Sequence, residues 1–246
     1  MEKPYIKKIA KRGHIDVWLV DGKYVRENIN HDFTNFGQHY ICKFIPQNEF
    51  WIDWEHKKGE AKFFIDHMLT EHRLMAEGKS DSDAIGIADK VERRERRNST
   101  LAKEAYKEKE NKKDLIEKVH RAQLKEYGPK INVWIVSGEL VRDFFYTDFT
   151  EGGHDRVYAF IPEDEVWLDD DLNPQERKFV LLHELHERNL MPDNKQIHIK
   201  SGSVIEDKNY NKIYGSAHRS ASRLEYFCRY HPEKLDKKIK AEINKI

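Results

Sequence analysis

Ile131-Asn132-Val133-Trp134-Ile135-Val136-Ser137-Gly138 rewrites Ile15-Asp16-Val17-Trp18-Leu19-Val20-Asp21-Gly22, and the likeness runs on without a gap. Aligning residues 15–75 with 131–191 gives 25 identities in 61 positions. Val25-Arg26 matches Val141-Arg142, Asp32-Phe33-Thr34 matches Asp148-Phe149-Thr150, and Phe44-Ile45-Pro46 matches Phe160-Ile161-Pro162. Agreement of that density marks an internal duplication, and it sets the fold problem as one small unit written twice.

The opening of each copy is β-branched and aromatic, which reads as a strand. Asp21-Gly22 and Ser137-Gly138 read as tight turns leading to returning strands at Lys23–Arg26 and Glu139–Arg142. Further short strands are expected near Tyr40–Ile45 and Phe50–Asp53, and near Arg156–Ile161 and Glu165–Asp169. Each copy is thus read as a small antiparallel β-meander. A helix follows. Asp171-Leu172-Asn173-Pro174-Gln175-Glu176 supplies a cap, a first-turn proline and an acidic start, and Pro192 stops the helix after Met191. The matching helix runs from about Gly59 to Met75. A second helix begins near Asp81 in copy one and near Tyr214 in copy two, with Ala84, Ala88 and Glu92 aligned to Ala217, Ala221 and Glu225. Copy two carries about 17 additional residues within 192–213, read as a hairpin or flap. The expected architecture is α+β. It comprises a degenerate repeat at 1–92, a charged helical linker at 93–130, and a metal-binding repeat at 131–246.

Composition narrows the class. The 246 residues carry 44 basic and 44 acidic side chains, a formal charge of +0. No global field draws the chain to nucleic acid or an anionic membrane. Arg93-Arg94-Glu95-Arg96-Arg97 is basic, but acids are interleaved, so nucleic-acid binding there is not expected. Cys42 and Cys228 have no metal-type spacing and read as free thiols of a reducing compartment. The N-terminal residues lack an apolar signal region, and no stretch has the length of a membrane span. A soluble, cytoplasmic protein is the expectation.

The chemistry concentrates in one helix. Copy two reads His183-Glu184-Leu185-His186-Glu187, where copy one reads His67-Met68-Leu69-Thr70-Glu71. His183 and Glu187 lie one turn apart and can grip one metal ion. Glu184 flanks that face as a candidate general base. On the next helix Tyr214, His218, Ala221 and Glu225 form a stripe. Small Ala221 permits close approach, and His218 can complete a His/Glu/His set with a position open for water. Glu225 is read as an orienter of a ligand histidine or a fourth ligand, and Tyr214 as an oxyanion donor. In copy one Met68 replaces Glu184 and Ile85 replaces His218, so proposed base and third ligand vanish together. His67 and Glu71 persist, which also allows a purely structural role for the shared pair. His186 points off the ligand face and is a reserve ligand, and His198 reads as a loop histidine. Gly37 and Gly153 read as turn glycines of positive φ, with an alternative in which the loop contacts substrate and brings His154 near the site. Glu165–Asp170 is read as an edge strand for an extended peptide. The four repeated tryptophans, Trp18, Trp51, Trp134 and Trp167, read as core.

Strands followed by a His-Glu helix and a later ligand helix resemble the zincin-like metallopeptidases over about residues 131–230. The resemblance implies a zinc-bound water, Glu184 as base and hydrolysis of an amide in a peptide or protein. Glu187 stands where the family has its second histidine, and His218 where it has a glutamate. That carboxylate-bearing set also suits manganese or iron. Two other readings stand beside it. One is a non-catalytic duplicated binding module. The other is a two-metal phosphoesterase, for which Asp148, Asp169 or Glu225 must converge on the histidines.

Overall fold

A computed structural model describes residues 3–56, 59–107, 111–192 and 208–246. The chain divides into two compact units, Met1–Glu104 and Ala105–Ile246. In the first, β1 (Tyr5–Arg12), β2 (Ile15–Val20), α1 (Gly22–Asn28), β3 (Phe36–Gln38) and β4 (Glu49–Asp53) precede α2 (Ala61–Ala76) and α3 (Asp81–Arg96). α4 (Thr100–Lys107) crosses the boundary between the units. The second unit contains α5 (Lys112–Val119), β5 (His120–Gln123), β6 (Asn132–Val136), α6 (Gly138–Phe144), β7 (Gly152–His154) and β8 (Glu165–Asp169). It ends with α7 (Pro174–Leu190), α8 (Lys208–Tyr230) and α9 (Leu235–Ile243).

Each unit is α+β, but its sheet is not a meander. The strand orders are β1-β2-β4-β3 and β5-β6-β8-β7. The central pairs β2/β4 and β6/β8 are parallel, and the outer strands are antiparallel to their neighbours. A parallel return needs a crossover, and α1 and α6 occupy the places expected for returning strands. The reason lies in the two dipeptides read as turns. Asp21 accepts a hydrogen bond from the Tyr24 amide, and Ser137 one from the Leu140 amide, so each is an N-cap. Gly22 and Gly138 then leave room for a carboxylate: a Cβ there would lie 1.8 Å from Asp53 or Asp169. Those carboxylates grip Arg26 and Arg142 at 2.9 Å, buried in the crossover. The segments expected as strands at 40–45 and 156–161 are turns instead.

Alternation sorts the strands onto two faces. Ile15, Val17, Phe50 and Ile52 pack with Phe64, Ile65 and Met68 of α2. Val20 and Trp51 pack on the other face with Val25, Phe33 and Ile45. The second unit repeats this, with Val133, Val166 and Leu168 against Phe179 and Leu182 of α7, and Val136 and Trp167 against Val141, Phe149 and Ile161. β8 is interior, so the edge expected at Glu165–Asp170 is instead β7. The stretch read as a linker contains the end of α3, α4, α5 and β5, which pairs with β6. Among the described residues, no helix is long and apolar enough to cross a membrane.

Candidate metal centre

Asn173 caps α7 by accepting from the Gln175 and Glu176 amides, and Pro174 sits in the first turn. The helix buries Phe179, Leu182 and Leu185, which fixes the face carrying His183 and Glu187. α8 lies against it through Ala217 and Ala221, both buried. Small residues at the crossing let the helices approach closely enough for side chains to meet across them.

Three atoms converge there. His183 Nε2 lies 3.1 Å from His218 Nδ1 and 3.4 Å from Glu187 Oε2, and His218 Nδ1 lies 2.9 Å from the same oxygen. Ligand atoms bound tetrahedrally to zinc at about 2.05 Å stand about 3.3 Å apart, so the spacing fits one ion. The chemistry of the trio fits too, because each atom can offer a lone pair. His183 Nδ1 is 2.8 Å from Glu225 Oε2. Donation of the Nδ1 proton to that carboxylate leaves Nε2 facing inward as a lone pair in the neutral ring. Glu187 Oε1 is 3.3 Å from His154 Nε2, and the Arg156 amide donates to His154 Nδ1 at 3.2 Å. His154 therefore carries its proton on Nε2, donates to Glu187, and leaves Oε2 free to face the histidines. Burial lowers the His154 pKa, in keeping with a neutral donor ring, against the opposing pull of Glu187.

Without a cation, a proton takes that charge. Burial opposes ionisation of His183, but hydrogen bonds with Glu187 and Glu225 outweigh it and push its pKa up to about 10. Burial likewise opposes charge on Glu187, yet bonds from His154, His183 and His218 hold its carboxyl well below the usual range.

Glu225 stands behind His183 rather than among the converging atoms. Its other oxygen accepts from Arg229 Nε at 2.8 Å, and Arg229 pairs with Glu176. In this arrangement Glu225 contacts His183 on the side away from Glu187 and His218. Of the acids named for a two-metal site, Asp169 is held by Arg142, whereas Glu225 meets His183. Tyr214 stacks on the His218 ring, 5.7 Å between centroids, in a cluster with Val157, Tyr158, Met191 and Ala217. His186 is engaged elsewhere, with Glu242 at 2.9 Å and Ser220 at 3.0 Å. His198 and most of the expected flap lie outside the described residues.

Glu184 projects toward β7. A Cβ on Gly152 would lie 3.3 Å from Glu184 Cγ and 2.8 Å from Val180 Cγ1. Among the described residues its carboxylate makes no hydrogen bond or ion pair. Burial and the neighbouring Glu187 push its pKa up to about 8. Gly153 has no positive φ, contrary to expectation. It is needed for space, since its Cβ would meet the Tyr158 ring at 2.5 Å.

Two parts of the site escaped the sequence reading. The His154–Glu187 contact was visible only as an alignment of two side chains able to donate, Gln38 with His154. In unit one Gln38 Nε2 donates to Glu71 at 2.9 Å. The Glu176–Arg229 support was visible as the aligned pairs Glu60/Glu176 and Arg96/Arg229, neither of which carries an obvious motif. No family model matches the chain, and neither does any curated protein or solved structure.

Proposed function

We propose that the second unit is a metal-dependent hydrolase that cleaves peptide bonds. The observation that carries this reading is the convergence of His183 Nε2, Glu187 Oε2 and His218 Nδ1. Zinc, or alternatively manganese or iron, would be held by those three atoms. Such an ion lowers the pKa of a bound water enough to supply hydroxide near neutral pH.

The chain's own residues divide the remaining work. Glu184, beside the ligand helix and without a partner among the described residues, takes the proton from the attacking water and returns it to the departing amine. Tyr214, against His218, is the hydroxyl positioned for the developing oxyanion. β7 is the outer strand of its sheet and borders α7, but Gly152, Gly153 and His154 are buried, so the preference for a peptide rests on the zincin-like set of His183, Glu184, Glu187 and His218 and not on an open strand edge.

Metal analysis of the purified chain should find about one ion per molecule, lost in His183→Ala and in His218→Ala. Glu184→Gln should keep the ion and lower cleavage of a peptide library, read by mass spectrometry, by at least about a thousandfold. A metal-free protein of unchanged stability would sink the reading. Persistent cleavage in Glu184→Gln would remove Glu184 as base and leave the metal site standing. One observation favours the non-catalytic module instead: unit one keeps His67 and Glu71 in hydrogen bonds without the rest of the set. A chain without metal that still binds a partner would bear that out.

A further inference from the structure

Lys90, Arg93 and Arg94 of α3 and Arg97, its C-cap, recur at i, i+3, i+4 and i+7, and so share one face. With Asn98 they line an open concavity of about 420 Å³. Among the described residues none of the four forms an ion pair, although the sequence places acids between them. Folding sends those acids elsewhere. Glu92 is buried, 2.7 Å from Arg96 Nε and 2.8 Å from His67 Nδ1. Glu95 turns to Lys62 at 3.5 Å, and Asp89 lies 3.8 Å from His67. What reads as a self-neutralised run becomes a face of four cations on which only Arg93 still feels an acid of the run, Asp89, and none is ion-paired among the described residues.

We infer that this face of the first unit binds the phosphate backbone of a nucleic acid, independently of base sequence. Like charges three and four residues apart repel, so the cluster calls for an external anion. Three of the four are guanidinium groups, whose planar fork matches phosphate oxygens. From Lys90 to Arg97 the face extends about 10.5 Å, enough for successive backbone phosphates. An anionic membrane fits less well. Membrane-lying helices expose an apolar face, whereas Ala84 and Ala88 of α3 are buried. The large exposed apolar residues of this unit (Ile6, Ile29, Ile41 and Trp54) all lie outside α3.

The test is fluorescence anisotropy of the full chain with a labelled oligonucleotide, single-stranded and as duplex, between 50 and 200 mM KCl. Four phosphate contacts predict a log–log salt slope of about −2.8 for the single strand and about −3.6 for the duplex. Over that range affinity should fall by about 50-fold or about 150-fold respectively. Arg93→Gln/Arg94→Gln/Arg97→Gln should bring the slope to about −1, and Lys130→Gln/Lys237→Gln/Lys240→Gln, which removes the same charge elsewhere, should leave it unchanged. Should the triple variant fail to fold by circular dichroism, Arg94→Gln and Arg97→Gln alone should each reduce the slope by about 0.7–0.9. Absence of binding at 50 mM, or equal loss in the control variant, would overturn the proposal. So would equally tight binding to phosphatidylserine vesicles or to polyglutamate. Metal content plays no part in these outcomes, so they are independent of the hydrolase reading.

Discussion

His67 and His183 occupy the same place in the two units and are held in the same way. Each directs Nδ1 at a glutamate on the following helix at 2.8 Å, Glu92 or Glu225. Each glutamate takes an arginine one turn on, and each arginine reaches back to a glutamate at the start of the preceding helix: Arg96 to Glu60, Arg229 to Glu176. The difference lies on the inner side of the histidine. In unit one Phe36 stacks on Phe64 and sets its ring 5.3 Å from His67, while Met68 is buried. In unit two the matching residues are Gly152, Val180 and Glu184. The brace is therefore a property of the fold. Where unit one has apolar filling, unit two has a glycine, a carboxylate and, on the next helix, His218.

That comparison can be broken by rebuilding one unit as the other. Phe36→Gly/Gln38→His/Met68→Glu/Ile85→His gives unit one the inner side of unit two. Metal content should rise from about one to about two ions per chain, with the second ion lost when His67→Ala is added. Phe36→Gly alone should leave it at one. If the rebuilt unit binds nothing while unit two still does, the residues particular to copy two at 192–213 take part in the site.

The brace and the opening were not equally legible in the sequence. The duplication, the cap and proline at the start of α7, and the alanines beneath His218 all follow local rules, and the structure has them. Asp21-Gly22 obeys a local rule too, but two causes share that signal. A glycine that leaves space for Asp53 looks the same as one that makes a turn. β1 and β5 escaped notice because edge strands carry little apolar alternation, with sequences YIKKIAKR and HRAQ. His154 was legible only as an alternative, a loop residue near the site, because its partner Glu187 is 33 residues away.

Cutting the brace should cost much the same in either unit. Arg96→Met leaves Glu60 and Glu92 buried without their cation, and Arg229→Met does the same to Glu176 and Glu225. Loss of one partner from a buried ion pair costs about 3–5 kcal/mol. Hydrogen exchange followed by mass spectrometry reads each unit separately, and protection should fall in the unit that carries the change. A small effect in both would mean the network is neutral to stability. A large effect in unit two alone would mean that the shared architecture hides different energetics.

His154 offers a finer cut. His154→Gln places the unit-one residue beneath Glu187 and retains a donor, so metal affinity should weaken by less than about tenfold. His154→Phe removes the donor and should weaken it by about 10–100-fold. Competition with a chelator measures both. Equal losses would mean the ring's shape matters more than its hydrogen bond.

The smallest expected effect concerns a feature that unit two alone possesses. Glu242 on α9 accepts from His186 Nδ1 at 2.9 Å, from Asn189 Nδ2 at 2.9 Å and from Lys245 Nζ at 2.6 and 2.8 Å. Burial opposes its charge, but those bonds dominate and hold its pKa down at about 2. A carboxyl depressed in the folded state stabilises it fully above the unfolded value of about 4.3. The contribution is then lost as pH falls from about 4.3 to the folded value. Lys245 reaches Glu242 from solvent, where screening is strong, so the contribution should be only about 1 kcal/mol. Urea unfolding at about pH 6, 4 and 3 should show unit two losing that increment, and Glu242→Gln should flatten the loss. Unit one has Thr70 where unit two has His186, so its response over the same interval should be unchanged by Glu242→Gln. If the variant alters both units alike, the acid response belongs to the whole chain and the α9 contact is not what separates the two copies.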